Sequence, residues 1–83
     1  MESILKQIRD LIEEPMKSMD ITVEEVEYVL ENNYHFLKII LDKVNGIDLD
    51  TIVEATNIIN PILDEADLID EEYILDISSK ERG

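Results

Sequence analysis

Hydrophobic and polar residues alternate most clearly in the run YHFLKIILDK, from Tyr34 to Lys43. Every second position from Leu37 to Leu41 is aliphatic, and a period of two is typical of a β-strand with one buried face. Asn32–Asn33 separates this run from a second extended run, Val23 to Leu30. Asparagine tolerates the left-handed backbone of a tight turn. The pattern therefore predicts a hairpin, and the rest of the chain should pack against it or pair with it.

The first strand of this hairpin has a predicted inner and outer side. Val26 and Tyr28 should face the helices, while Glu25 and Glu27 should point the other way. Val29–Leu30 interrupts the alternation, which predicts a twist or bulge near the end of the strand.

A first helix is predicted from about Ser3 to Met19, because apolar residues recur there every three or four positions. The predicted stripe consists of Ile4, Ile8, Leu11, Ile12 and Pro15 or Met16. Ser3 is the candidate N-cap, since its hydroxyl can accept a bond from a backbone N–H group of the first turn. Pro15 should kink or end the helix, because proline lacks a backbone donor and crowds the preceding turn.

A second helix follows the turn at Gly46 and has the stronger start signal. The Asp48 carboxylate can accept backbone N–H bonds at the N-cap, and Ile47 and Ile52 around it match a hydrophobic staple. Pro61 predicts a kink, or alternatively a break into two shorter helices. The predicted buried stripe is Leu49, Ile52, Ala55 or Thr56, Ile59 and Leu63.

A third strand follows an acidic connection from Asp64 to Glu72. Its apolar positions Tyr73, Leu75 and Ile77 alternate with the neighbouring residues. Residues 1–83 are thus expected to form one α+β domain, a two-layer sandwich with two helices on one face of a three-stranded sheet. Whether the third strand pairs with the first or the second stays open at this point.

The same pattern leaves four apolar residues on the other face of the sheet, namely Phe36, Ile40, Ile74 and Val29. Single exposed apolar side chains are normal on protein surfaces. Several adjacent ones on a bare sheet face would instead mark a docking surface for a partner or a further domain.

The charge balance bears on partners. Twenty-one Asp and Glu oppose seven Lys and Arg, for a net charge of −14. Affinity for nucleic acid comes largely from clustered Lys and Arg, so this composition disfavours direct binding of nucleic acid and favours a basic protein partner. The start of the chain does not read as a signal peptide, and no apolar run approaches the ~18 residues of a membrane span. A cytoplasmic, monomeric domain is expected.

Candidate chemistry is sparse. His35 is the only histidine, and a structural or solvent-facing role is favoured because no serine or cysteine partner is suggested. In the alternation of its strand, His35 would lie at the rim of the core. The acidic runs do not have the spacing of a calcium loop, and there is no phosphate-binding glycine loop and no zinc motif. We therefore expect no enzymatic activity, cofactor or metal.

Five blocks in order carry a family resemblance: VEYV (26–29), FLKIILDK (36–43), GIDLD (46–50), LDEADLI (63–69) and YILDISS (73–79). Together they resemble the N-terminal domain of the bacterial ribosome maturation factor RimP. The resemblance departs from the family at His35, where Trp is frequent, and at Lys80–Glu81, which follow Ser78–Ser79 where the family has Pro-Gly.

The resemblance implies a non-enzymatic, cytoplasmic factor that assists assembly of the small (30S) ribosomal subunit. It also implies that the family's second domain, a β-barrel, is absent from this chain. The alternative is a small acidic interaction module or inhibitor that binds a basic protein surface. The candidate partner-binding residues are Asp48, Asp50, Asp64, Asp67, Phe36 and Ile40.

Overall fold

The computed structural model describes residues 1–80 and has the predicted order of helix, strand, strand, helix, strand. The elements are α1 (Glu2–Lys17), β1 (Ile21–Glu31), β2 (Tyr34–Lys43), α2 (Leu49–Ala66) and β3 (Ile74–Ser79). The predicted α+β class is confirmed.

Strand β2 lies at the centre of a mixed sheet with the order β1-β2-β3. β1 and β2 pair antiparallel across a turn in which Asn32 and Asn33 have φ values of 51° and 69°. A two-residue hairpin turn of type I′ requires positive φ at both central positions, which asparagine tolerates better than most residues. β3 pairs parallel to β2, and this answers the question of its partner. A parallel neighbour needs a long crossover, which α2 supplies.

One hydrophobic core lies between the sheet and the helices. Both helices pack on the sheet face that carries Leu37, Ile39 and Leu41, whose side chains are fully buried. Val26, Tyr28, Leu75 and Ile77 are half-buried against this core, so the predicted strand register is confirmed. The buried residues are Ile8, Ile12, Met16, Ile21, Val23, Leu37, Ile39, Leu41, Ala55, Ile59, Leu63 and Ile69.

The first helix differs from the prediction at its ends. α1 begins at Glu2 with Met1 at the N-cap and no capping side chain, so the prediction of Ser3 as the cap is wrong. Pro15 does not end the helix, which continues to Lys17 because Met16 is fully buried in the core and holds the last turn. Leu11, predicted in the buried stripe, is 43% exposed.

The second helix confirms its start signal and corrects its stripe. The Asp48 Oδ1 atom accepts a hydrogen bond from the Thr51 N–H at 2.8 Å. Leu49 is 77% exposed, so its predicted burial is wrong. Ile52 is half-buried but lies outside the core cluster. The helix also runs on past Pro61 to Ala66 without a break, so it takes in residues 64–66 of the predicted acidic connection. The observed connection between α2 and β3 spans residues 67–73.

The bulge in β1 lies near the start of the strand and not at Val29–Leu30. The pairing with β2 shifts between Val23 and Glu25. This shift lets Ile21 and Val23 share the inner face with Val26 and Tyr28, although the two pairs differ in parity. The Arg9 guanidinium donates to the carbonyl oxygens of Val23 and Glu24 at 2.6 and 3.3 Å, which satisfies backbone acceptors at the irregularity.

None of the helices in residues 1–80 is long and apolar enough to cross a membrane.

The central strand should be the most sensitive part of the fold. Ile39→Ala should lower the free energy of unfolding by about 2–5 kcal/mol, because it opens a cavity at a fully buried site. Ile40→Ala, on the opposite face of the same strand, is the matched control and should cost less. Urea unfolding followed by circular dichroism measures both. Equal losses would contradict the assigned inner face of β2.

Candidate functional site

An open groove with a volume of about 970 Å³ lies at one end of the sandwich. It is bounded by the C-terminal end of α2, by residues 67–73 and by the first residues of β2 and β3. We call it the acidic groove. Its lining residues are Asn33, Tyr34, His35, Asn60, Leu63, Asp64, Asp67, Leu68, Ile69, Asp70, Glu71, Glu72, Tyr73, Ile74 and Leu75.

The acidic groove has an apolar floor and a charged rim. Leu63 and Ile69 are buried in the core, and Leu68 and Leu75 are half-buried beside them. Five carboxylates, all on exposed residues, surround this floor. They belong to Asp64, Asp67, Asp70, Glu71 and Glu72. The site thus offers apolar surface within a ring of negative charge.

No lysine or arginine is among the described residues that line the acidic groove. The cause lies in the sequence, because residues 44–79 contain no Lys or Arg at all. The last turn of α2 likewise has no basic residue, and its C-cap is Asp67 in a left-handed conformation. A helix C-terminus carries partial negative charge, so Asp64 and Asp67 add to a potential that is already negative.

Contacts among Tyr28, His35 and Glu71 connect residues 67–73, which form one wall of the groove, to the hairpin. The Tyr28 hydroxyl donates a hydrogen bond of 2.8 Å to Glu71 Oε1, and the His35 Nε2 atom lies 3.5 Å from Glu71 Oε2. The rings of Tyr28 and His35 stack with their centroids 5.2 Å apart, and Tyr73 meets Tyr28 edge-on. His35 therefore lies at the rim of the core, as predicted, and its partners connect β1, β2 and residues 67–73.

The electrostatics of the tyrosines reflect this environment. Burial and the hydrogen bond to Glu71 raise the pKa of Tyr28 to about 12. Burial also raises the pKa of Tyr73, with a further contribution from the charges of Asp64 and Asp67. Burial is the larger cause at both tyrosines, and the neighbouring carboxylates add to it.

The structure brings together only part of the predicted binding set. Asp64 and Asp67 line the acidic groove. Asp48 and Asp50 lie at the opposite end of α2, roughly 24 Å away at 1.5 Å per helical residue. The Asp48 carboxylate caps the helix, and its bond to Thr51 lowers the pKa of Asp48. The two pairs of aspartates therefore cannot form one compact site.

Phe36 and Ile40 occupy a third place, the outer face of the sheet. Phe36 is flanked by its pairing partners Val29 and Ile74, and Ile74 is 45% exposed. Lys38 separates this row from Ile40, so the four outer apolar residues do not form one continuous patch. Lys38 binds Glu31 at 2.8 Å, and this contact raises the pKa of Lys38.

Residues 1–80 contain no group of three or more His, Cys, Asp or Glu side chains placed to hold a metal ion. The rim carboxylates of the acidic groove are accordingly spread around its edge. Their arrangement suits several separate positive charges better than a single ion.

Sequence reasoning included Asp70, Glu71 and Glu72 in the acidic connection from Asp64 to Glu72, but it did not predict the groove that this connection forms with the first residues of β2. It also missed the contact between Tyr28 and Glu71, which are 43 positions apart in the chain. One available signal was the run of 36 positions, residues 44–79, without a cationic side chain. Lys80 and Glu81 stand where the family has Pro-Gly. Lys80 binds Glu24 at 2.8 Å, while Glu81 lies outside the described residues.

The family model for the RimP N-terminal domain matches residues 11–80. The matched region runs from the second half of α1 to just beyond β3 and includes the whole acidic groove.

Ionisation of Tyr28 at unusually high pH is a testable consequence of its burial and of its hydrogen bond to Glu71. Of the three tyrosines, Tyr28 should ionise near pH 12, while an unfolded tyrosine ionises near pH 10. The raised pKa means that its stabilisation is complete below about pH 10 and is lost as the pH rises towards 12. Absorbance at 295 nm follows the titration, with circular dichroism to detect unfolding. Tyr28→Phe should remove the late component. Ionisation of Tyr28 near pH 10 in the folded chain would contradict its hydrogen bond with Glu71.

Proposed function

Because the chain belongs to the RimP N-terminal domain family, we propose that it assists assembly of the small (30S) ribosomal subunit in the cytoplasm. Membership in this family implies a role in ribosome maturation. The observation that carries the proposal is the match over residues 11–80, which covers nearly the whole chain.

The proposed mode of action is binding without catalysis. The partner is a basic ribosomal protein on the immature subunit, because a surface with net charge −14 attracts positive charge and repels RNA phosphate. Complementary charge mainly accelerates encounter and fixes orientation, and packed apolar groups then slow dissociation. The acidic groove offers both kinds of contact.

Among the candidate contact residues, Asp64 and Asp67 rank first because the groove places them beside apolar surface. The proposal leaves out Asp48 and Asp50, because they lie at the far end of α2 and Asp48 already serves as a helix cap. Phe36 and Ile40 rank second: they lie on the outer face of the sheet, with Lys38 between them.

A direct role in RNA binding is not expected. The chain should show no measurable affinity for a fluorescent small-subunit rRNA fragment at physiological salt. Lys38 and Lys80 are each bound to a glutamate, and Arg82 lies outside the described residues. Fluorescence anisotropy is the measurement. Micromolar, salt-sensitive binding would contradict this expectation and would require a basic cluster formed from Lys38, Lys43, Lys80 and Arg82.

The assembly role can be tested in cells. Deletion of the gene that encodes the chain should cause immature small subunits with unprocessed rRNA to accumulate on a sucrose gradient, and the intact gene should restore the profile. The double variant Asp64→Asn/Asp67→Asn should restore it poorly, because it removes two rim charges from the acidic groove.

The matched control is Asp48→Asn/Asp50→Asn, which removes the same charge at the far end of α2. Asparagine remains a good N-cap at position 48 and tolerates the left-handed backbone at position 67, so both variants should fold. This control should restore the profile almost fully. A normal profile in the deletion strain would refute the assembly role and favour an acidic inhibitor of a basic protein. Full restoration by both variants would refute a role for the rim charges.

A further inference from the structure

From the shape and charge of the acidic groove, we infer that it docks an arginine-rich polypeptide segment with one apolar residue between its cationic side chains. The apolar residue packs on the floor formed by Leu63, Leu68 and Leu75, and the arginines reach the carboxylates of the rim. The inference rests on the proposed function only for the identity of the protein that supplies the segment.

Charge complementarity identifies the class of the occupant. None of the described lining residues is Lys or Arg, and Asp64, Asp67, Asp70 and Glu72 form no ion pair within residues 1–80. Among the rim carboxylates, Glu71 alone has partners within residues 1–80, namely Tyr28 and His35. Within residues 1–80, no cationic side chain neutralises the negative charge of these four rim carboxylates. That charge is therefore available to attract a cationic ligand.

The arrangement of the carboxylates excludes simpler occupants. A single divalent ion needs several oxygen ligands close together, and residues 1–80 provide no such group of side chains. A second copy of this chain would bring another net charge of −14 to the same surface, and RNA would bring its phosphates. A polypeptide with separate cationic side chains avoids all three difficulties.

The apolar floor adds the second requirement. A groove of about 970 Å³ has room for several side chains, and half-buried Leu68 and Leu75 gain burial when an apolar group covers them. Arginine is favoured over lysine because its planar guanidinium binds a carboxylate through two parallel hydrogen bonds. The groove should therefore bind a peptide with an apolar residue between arginines more tightly than a peptide that lacks the apolar residue or has lysines instead.

The test uses the full chain and a short fluorescein-labelled peptide with two arginines on each side of one leucine. Fluorescence anisotropy at physiological salt should show saturable binding. Serine in place of the leucine and lysine in place of the arginines should each weaken binding. Asp64→Asn/Asp67→Asn should weaken it about fivefold, the effect expected from losing two exposed ion pairs. Asp48→Asn/Asp50→Asn, with the same change in net charge, should leave it within about twofold.

Three results would overturn the inference. Equal weakening by the two double variants would indicate general attraction to an acidic chain. Equal affinity for the leucine and serine peptides would remove the apolar anchor. Full displacement of the peptide by millimolar magnesium at constant ionic strength would identify a cation site. Circular dichroism melts of both variants confirm folding. The outcome is separable from the proposed function: specific peptide binding with a normal ribosome profile refutes only the assembly role. An assembly defect without peptide binding refutes only the docking site.

Discussion

The burial of one face of β2 is the interaction on which the rest of the structure depends. Leu37, Ile39 and Leu41 are fully buried, and they lie between two flanking strands beneath both helices. A chain of 83 residues has few such positions, and apolar burial in so small a domain only narrowly exceeds the entropy cost of ordering the chain. The pairing of β3 with β2 fits the same constraint, because a strand on each side of β2 protects both of its edges. The helices then cover this apolar face.

Packing of the core does not determine where the charged surface residues lie, and in this chain they are distributed unevenly. Lysine and arginine occur up to Lys43 and again from Lys80, while residues 44–79 carry ten acidic residues and no cation. The end of α2 illustrates the consequence. Basic residues near a helix C-terminus normally stabilise it, yet here Asp64 and Asp67 occupy that end. This arrangement opposes stability locally, which is a common property of surfaces that bind a partner of opposite charge.

Features set by neighbouring residues could be predicted from the sequence. The hairpin turn at Asn32–Asn33 and the cap at Asp48 depend on local backbone preferences, and both are observed. The bulge in β1 also has a local signal, although the prediction placed the irregularity at Val29–Leu30. The apolar positions change from odd to even between Val23 and Val26, and the shift of register lies there. The acidic groove could not be predicted in this way, because its walls come from two distant parts of the chain, residues 33–35 and 60–75. Its assembly depends on the strand order, which the alternating pattern leaves open.

The hairpin and the groove are mechanically connected through the side chains that bridge them. Tyr28 and His35 stack across β1 and β2, and both reach Glu71 in the groove wall. The turn at Asn32–Asn33 determines where β2 begins, and the first residues of β2 form the facing side of the groove. A shift of the hairpin register by one residue would turn His35 away from Glu71, since successive side chains of a strand point to opposite faces. The geometry of the groove is therefore fixed by the same register that buries Ile39, and the core and the candidate binding surface cannot vary independently.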